Sequence, residues 1–183
     1  YPLDSRGVIQ HEAGGHGFGK LGDEYIYHNA FIDACGCPCC GHVDAILGAQ
    51  SLGWFDNLSI TGKTNQVPWS HLIYDPRYSD IVDIYEGGFM HSRGVFRSEQ
   101  NSCMNNDIPY YSTISRESIV KRIKRYAGEE YSFEEFVAND KRDVNIMATR
   151  STDTYSGSLV HSRQLPPTIH KGSPIKKSKK IRK

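Results

Sequence analysis

Two histidines and two carboxylates near the start of the chain have the types and the spacing of a metal site. They belong to the segment HEAGGHGFGKLGDEY, residues 11–25, and are His11, Glu12, His16 and Asp23. A catalytic zinc ion is usually held by three imidazole or carboxylate ligands, with water in the fourth position. We predict that His11, His16 and Asp23 ligate one Zn²⁺ ion. Glu12 is then the expected general base that takes a proton from the water.

The spacing of the two histidines constrains the backbone between them. His16 follows His11 by five residues, whereas the zinc-protease pattern HExxH spaces its histidines by four. On a regular α-helix, residues five apart lie about 140° apart around the axis, so the two rings would diverge. A π-bulge widens the turn and brings such residues to nearly the same direction. Gly14 and Gly15 lie where this distortion is easiest, and we predict a π-bulge there.

The third ligand has to come from the chain that follows the helix. Gly19 is a residue type that can end a helix in a left-handed conformation. A chain that turns at this point can return a carboxylate to the two histidines. Asp23 is the predicted ligand, and Glu24 is the alternative.

These residues resemble the HExxHxxGxx(H/D) signature of the metzincin zinc peptidases. The string HEAGGHGFGKLGDEY, together with RGVFRSEQNSCMNN, is similar to the IgA-peptidase-like metallopeptidases, best known from gut bacteria. The resemblance covers roughly residues 5–140. It implies an α+β fold of the metzincin-like zincin type, with part of the N-terminal sheet subdomain expected to be missing from this chain. It also implies a methionine turn beneath the metal at Met104, followed by a C-terminal helix.

The resemblance implies a zinc-dependent endopeptidase that hydrolyses peptide bonds of extracellular protein substrates through a metal-activated water. Host immunoglobulin and mucin-type glycoproteins are substrates consistent with it, and the expected location is secreted or at the cell surface. The alternative is a zinc-containing, non-catalytic surface binding protein. Glu12 argues against that alternative, because a structural zinc site needs no general base. A tyrosine that some metzincins place two residues after the methionine is Asn106 here, and core packing is the expected role of Tyr110 and Tyr111.

The cysteines allow three interpretations. They are Cys35, Cys37, Cys39, Cys40 and Cys103. Disulfides would suit an extracellular enzyme and could join Cys103 to one of the others. A structural zinc held by several thiolates, with His42 as a further ligand, is the second interpretation. Free or redox-active thiols are the third. Spacing alone does not determine which pairs form, so all three stay open at the level of sequence.

Length and composition indicate one soluble globular domain. The chain has 183 residues, of which 38% are hydrophobic and 23% charged. No apolar run approaches the roughly 18 residues of a membrane span, and no nucleic-acid-binding motif is present. We assign residues 1–145 to the catalytic domain and 146–183 to an extended C-terminal segment. Its last 13 residues contain six lysines and one arginine, and removing these seven cations from the net charge of +1 leaves −6 for residues 1–170. We expect a disordered basic tail.

Hydrophobic spacing and capping residues predict four helices. The active-site helix spans residues 4–17, and a short helix lies near 43–52. The clearest helix spans about 115–127, with Ile119, Val120, Ile123 and Tyr126 on one apolar face and Gly128 as its terminator. Ser132 and Glu135 form a capping box that begins the fourth helix.

Overall fold

The structure is a computed structural model, and it describes residues 6–34 and 41–142 of the chain. These residues form a small mixed sheet with helices around it, which agrees with the predicted α+β class. The elements in chain order are α1 (Arg6–Ile9), a π-helix (Gln10–Gly19), β1 (Ile26–Phe31), α2 (His42–Ser51), β2 (Leu58–Ser59), α3 (Ser70–Ile73), β3 (Tyr85–Gly88), β4 (Met90–Arg97), α4 (Cys103–Asn106), α5 (Thr113–Ala127) and α6 (Phe133–Asn139).

β4 is the centre of the four-stranded sheet. It pairs with β1 in parallel and with β2 and β3 in antiparallel orientation. Phe96 and Arg97 pair with both β2 and β3, so these two strands lie on opposite sides of β4. His91 pairs with both β1 and β3, which places β1 on the same side as β2. β1 starts three residues after Asp23, so the sheet anchors the segment that returns to the π-helix.

Two apolar clusters fill the interior. The larger one lies between α3, α5 and α6, and the smaller one lies between α2 and the sheet. Trp69 is fully buried in the larger cluster, and its indole N–H donates to the Asp83 carbonyl at 2.9 Å, so the ring is packed and its polar atom satisfied. The members of the larger cluster are Val67, Trp69, Leu72, Tyr78, Val82, Ile114 and Phe136, and those of the smaller are Ile32, Ile46, Leu58 and Val95.

The helix predicted at 115–127 is present as α5 and ends at Gly128, which has a φ of 72°. Its predicted apolar face is confirmed at Val120, which packs against the larger cluster, and is wrong at Ile123 and Tyr126. Ile123 is 50% exposed and Tyr126 is 71% exposed, whereas Ile114 is 1% exposed. The reason is that the first two turns of α5 enter the interior and the last turns project from it. Buried Glu117 is accommodated in the first turns because His71, Tyr131 and Lys121 contact its carboxylate.

The other helix predictions agree with the structure. α2 spans residues 42–51, close to the predicted 43–52. At the start of α6, the Ser132 hydroxyl accepts the backbone N–H of Glu135 at 3.3 Å, which is one half of the predicted capping box. Among the described residues, no helix combines the length and the apolar character needed to cross a membrane. The predicted segment 146–183 lies outside the described residues.

Candidate metal centre

The two histidines lie on a π-helix. α1 passes directly into ten residues of π-helix, Gln10–Gly19, so the predicted widening is present and extends beyond a single bulge. The π-helix ends at Lys20, whose φ of 55° is left-handed and whose N–H bonds to the Gly15 carbonyl. The predicted left-handed residue was Gly19, one position earlier. Because the wide turn brings residues five apart onto one face, His11 and His16 point to the same place.

The glycines of this helix permit close contacts as well as the wide turn. A Cβ atom at Gly15 would overlap Sδ of Met104, and one at Gly14 would overlap the Tyr111 hydroxyl. That hydroxyl donates to the Gln10 carbonyl at 2.6 Å. Met104 is fully buried. The methionine therefore packs directly under the helix between the two histidines, and Tyr111 braces the start of the same helix.

Three potential ligand atoms meet at one point. Nε2 of His11 lies 3.1 Å from Nε2 of His16 and 3.0 Å from Oδ1 of Asp23. Nε2 of His16 lies 2.9 Å from the same Asp23 oxygen. Two ligands of one tetrahedral zinc, each bound at about 2.0–2.2 Å, lie roughly 3.3–3.5 Å apart. The triangle is close to that size, so the residues fit a zinc ion after a shift of a few tenths of an ångström.

The other ring nitrogens fix the tautomers that metal binding requires. Nδ1 of His16 lies 2.8 Å from the Leu21 carbonyl, and Nδ1 of His11 lies 2.9 Å from the Cys103 carbonyl. A carbonyl oxygen can only accept, so each Nδ1 bears a hydrogen. Nδ1 of His11 also lies 2.8 Å from Oδ1 of Asp107. A carboxylate behind a ligating histidine orients the ring and makes its other nitrogen a better ligand.

Two histidines around one carboxylate form a cluster that needs a cation, either protons or a metal ion. Burial lowers the pKa of His11, but hydrogen bonds and charge from Asp107 and Asp23 outweigh it and raise this pKa to about 10. Burial raises the pKa of Asp23, but His11 and His16 outweigh it and lower this pKa to about 2. The three side chains therefore hold either protons or a metal ion between them, and the two compete for the same lone pairs.

Glu24, the alternative ligand, points away from the cluster. It is fully buried, where its carboxylate accepts from Ser102 and from Nδ2 of Asn57, the latter at 2.8 Å. Its backbone N–H donates to the Met104 carbonyl at 2.8 Å. Burial raises the pKa of Glu24 to about 7. Glu24 thus connects the Asp23 segment to the methionine turn through both its backbone and its side chain.

We expect Glu24→Ala to weaken the metal site without removing a ligand. The change removes one buried hydrogen bond from Ser102 and one from Asn57, and hydrogen bonds to a charged group contribute about 1.5–3 kcal/mol each. Asp23 is then held less firmly, and zinc affinity should fall about 10–100-fold, the usual effect of losing a supporting residue. Zinc titration and urea unfolding measure the two effects. Glu24→Gln keeps the size and one acceptor and should lose less of both. Equal affinity in wild type and Glu24→Ala would contradict the positioning role.

Two tyrosines near the cluster were missed from the sequence. Tyr25 hydrogen-bonds the Asp23 carboxylate and stacks on His11, with ring centroids 6.1 Å apart. Tyr27 packs against Tyr25 at 4.7 Å. Burial and the charge of Asp23 raise the pKa of Tyr25, so its hydroxyl stays protonated. The sequence feature that could have indicated Tyr25 is its position, two residues after the predicted ligand Asp23.

The other candidate residues from the sequence differ in their exposure and in their position relative to the cluster. Glu12 is exposed on the π-helix, and its charge contributes to the raised pKa of Tyr25. Tyr110 is buried and donates to Glu99 at 2.7 Å, which agrees with the packing role predicted for it. Asn106 hydrogen-bonds Asn101 at 3.0 Å. Only Glu12, among these, is available to solvent beside the predicted ligands.

Cys103 is a free, buried thiol with Sγ 3.8 Å from the Gly7 carbonyl. Cys103 thus forms no disulfide within the described part of the chain. Burial and the charges of Asp107 and Glu24 raise the pKa of the Cys103 thiol to about 12, so it stays protonated at neutral pH. The four cysteines at 35–40 lie outside the described residues.

No protein-family model matches the sequence, and a search of curated proteins finds no match to it. The likeness to the IgA-peptidase-like metallopeptidases therefore rests on the motif residues themselves.

Proposed function

We propose that the protein is a zinc-dependent endopeptidase whose metal ligands are His11, His16 and Asp23. The observation that supports this most directly is the triangle of Nε2, Nε2 and Oδ1 atoms, with all three separations between 2.9 and 3.1 Å. Because the Nδ1 atoms bond to carbonyls, both Nε2 atoms would present lone pairs to a metal ion once they lose their protons. This donor set, two neutral imidazoles and one carboxylate, leaves a fourth zinc position for water.

A zinc ion bound there would lower the pKa of a water molecule and polarise a peptide carbonyl. Glu12 would accept the proton of that water and pass it to the leaving amine. Its exposure suits this task, because a general base has to reach both the water and the substrate. Asp107 holds the His11 ring, while Tyr25 holds the Asp23 carboxylate, so the ligands keep their orientation as protons move.

The substrate class follows from the family resemblance: extracellular proteins, with immunoglobulins and mucin-type glycoproteins as candidates, cleaved by a secreted or surface-bound enzyme. The alternative, a zinc-containing binding protein without activity, predicts the same metal content and no cleavage. Measuring cleavage products, in addition to zinc binding, distinguishes the peptidase from the binding protein.

We expect zinc removal to abolish hydrolysis reversibly. The protein is treated with 1,10-phenanthroline, dialysed and assayed on fluorescently labelled casein, immunoglobulin and mucin. Activity should fall to background and return with one equivalent of Zn²⁺, because the ligand set is suited to zinc, while Mg²⁺ and Ca²⁺, which prefer oxygen ligands, should not restore it. Full hydrolysis by the metal-free protein would contradict the proposal. Zinc binding with no cleavage of any of the three substrates would favour the binding-protein alternative.

A further inference from the structure

The segment that contains Asp23 has no regular secondary structure of its own. It spans residues 20–25, between the end of the π-helix and the start of β1. Buried backbone N–H and C=O groups need hydrogen-bond partners, so the partners that such a segment finds determine its shape. Most of those partners lie in later segments of the chain. They therefore decide where Asp23 lies relative to the two histidines.

Asn57 bonds to this segment on both sides of Asp23. Its Oδ1 accepts the Gly22 N–H at 2.9 Å, and its Nδ2 donates to the Gly22 carbonyl at 2.8 Å. The same Nδ2 donates to Oε1 of Glu24, also at 2.8 Å. Asn57 is fully buried. One side chain thus fixes both the residue before Asp23 and the residue after it.

These three hydrogen bonds require an amide side chain at position 57. An amide presents an acceptor and two donors in one plane, so it can bond both the N–H and the C=O of a backbone residue. An ionised aspartate only accepts, and an aliphatic side chain of similar size does neither. Asn57 uses its carbonyl and both donor positions on Gly22 and Glu24.

The sheet holds Asn57 in turn. Asn57 directly precedes β2, which pairs with β4. The two segments approach closely, because a Cβ atom at Gly22 would lie 2.5 Å from Cδ1 of Leu58. A larger residue at that position would displace Leu58 or the ligand segment. The Phe55 N–H adds a hydrogen bond to the Lys20 carbonyl at 2.9 Å. The ligand segment is therefore supported along its length by the residues that lead into β2.

We propose that Asn57 is a positioning residue of the metal centre, which makes Asp23 the third ligand by fixing the backbone on either side of it. The inference rests on the ligand set of the proposed function. Oδ1 of Asp23 lies within 3.0 Å of Nε2 of both histidines, while Asn57 holds the side chain of Glu24 in the interior. A ligand that the protein already holds in place loses less entropy when the metal binds, so the contribution of Asn57 should appear in the zinc affinity.

The test is a double-mutant cycle on zinc affinity with Asn57→Ala and Asp23→Ala. Metal-free full chain is titrated with Zn²⁺ in competition with a chromophoric chelator. Asn57→Ala should lower the affinity roughly 10–100-fold, the usual effect of losing a supporting residue. In the Asp23→Ala background, the same change should alter the affinity by less than about threefold, because coupled residues are not additive and Asn57 acts through Asp23. A general loss of structure would lower the affinity in both backgrounds.

Two further variants make the result specific. Tyr131→Phe removes a hydrogen bond of 2.8 Å to another buried carboxylate, that of Glu117, and should keep wild-type zinc affinity. Gly22→Ala disturbs the contact with Asn57 from the side of the ligand segment and should weaken zinc binding. Circular dichroism and urea unfolding of the metal-free proteins report whether each variant folds. Gly22→Ala takes the place of Asn57→Ala in the cycle if the latter does not fold.

The outcomes separate the positioning role from the proposed function. Wild-type zinc affinity in the position 57 variant, or in Gly22→Ala where that variant replaces it, would overturn the positioning role and leave the peptidase proposal intact. An equal loss in both backgrounds would overturn it as well. A zinc affinity that Asp23→Ala does not change would remove Asp23 from the ligands, and the inference would fall with the metal centre. Zinc binding without peptide cleavage would count against the peptidase alone.

Discussion

Glu12→Gln should reduce peptide hydrolysis by about 10²–10⁴-fold or more while the protein keeps its zinc. The amide has nearly the same size as the carboxylate but cannot accept a proton from water at neutral pH. Because Glu12 is exposed on the π-helix, the substitution changes no buried contact and should not change folding. The loss should appear in kcat with little change in KM, since the group acts on the reacting atoms and not on binding.

The measurement is kcat and KM on a labelled protein substrate at saturating zinc, with zinc content determined on the same sample. Glu130→Gln is a matched control, because it makes the same change at another exposed glutamate far along the chain, and it should keep wild-type activity. Turnover of Glu12→Gln within a few-fold of wild type would remove Glu12 from the mechanism. Loss of zinc together with activity would show that the residue supports the metal instead.

His16→Ala should remove the zinc ion at the metal centre and reduce hydrolysis to background. The variant lacks one of the three proposed ligands, so zinc affinity should fall by more than the roughly 10–100-fold that loss of a supporting residue causes. In this variant, His11 would still hold a proton on Nε2, because the Asp23 carboxylate oxygen lies 3.0 Å from that atom and accepts its hydrogen bond. The fold should persist, since His16 is only partly buried and makes its backbone contact at the end of the helix.

Elemental analysis of the variant and of wild type decides this prediction. One zinc equivalent should be lost. His71→Ala is the control, because His71 also bonds a carboxylate, that of Glu117, but lies outside the cluster. An unchanged zinc content in His16→Ala would mean that all bound metal lies elsewhere in the protein, and the peptidase proposal would fall with it.

The clustering of His11, His16 and Asp23 and the widened helix could be predicted because both depend on local sequence. The spacing of His11 and His16, with glycines between them, leaves few conformations in which both rings reach one metal. The sequence analysis favoured Asp23 over Glu24 as the third ligand, but local sequence does not contain the reason for that choice. What decides it is the buried position of Glu24 beside Ser102 and Asn57, which lie 78 and 33 residues away along the chain.

The supporting residues could not be predicted, because they come from distant segments. Asp107 reaches Nδ1 of His11 only after the chain has passed through the sheet and the methionine turn. The buried side of α5 was predicted only in part, at Val120. Its apolar spacing predicts that Ile123 and Tyr126 are buried, yet only the N-terminal end of the helix enters the interior. The position of a residue along the helix axis therefore decides its burial more than the helix face on which it lies. Local periodicity contains no information about that position.

Ten consecutive residues of π-helix are unusual, since this conformation generally occurs as a single turn inside an α-helix. In the proposed zinc-bound state, both His11 and His16 hold the metal only while the wide turn persists. Metal affinity and helix register are then thermodynamically linked, and the linkage is reciprocal: whatever favours relaxation to an α-helix weakens metal binding by the same factor. If zinc binds as proposed, its free concentration around the protein would help to set the hydrogen-bond register of the π-helix.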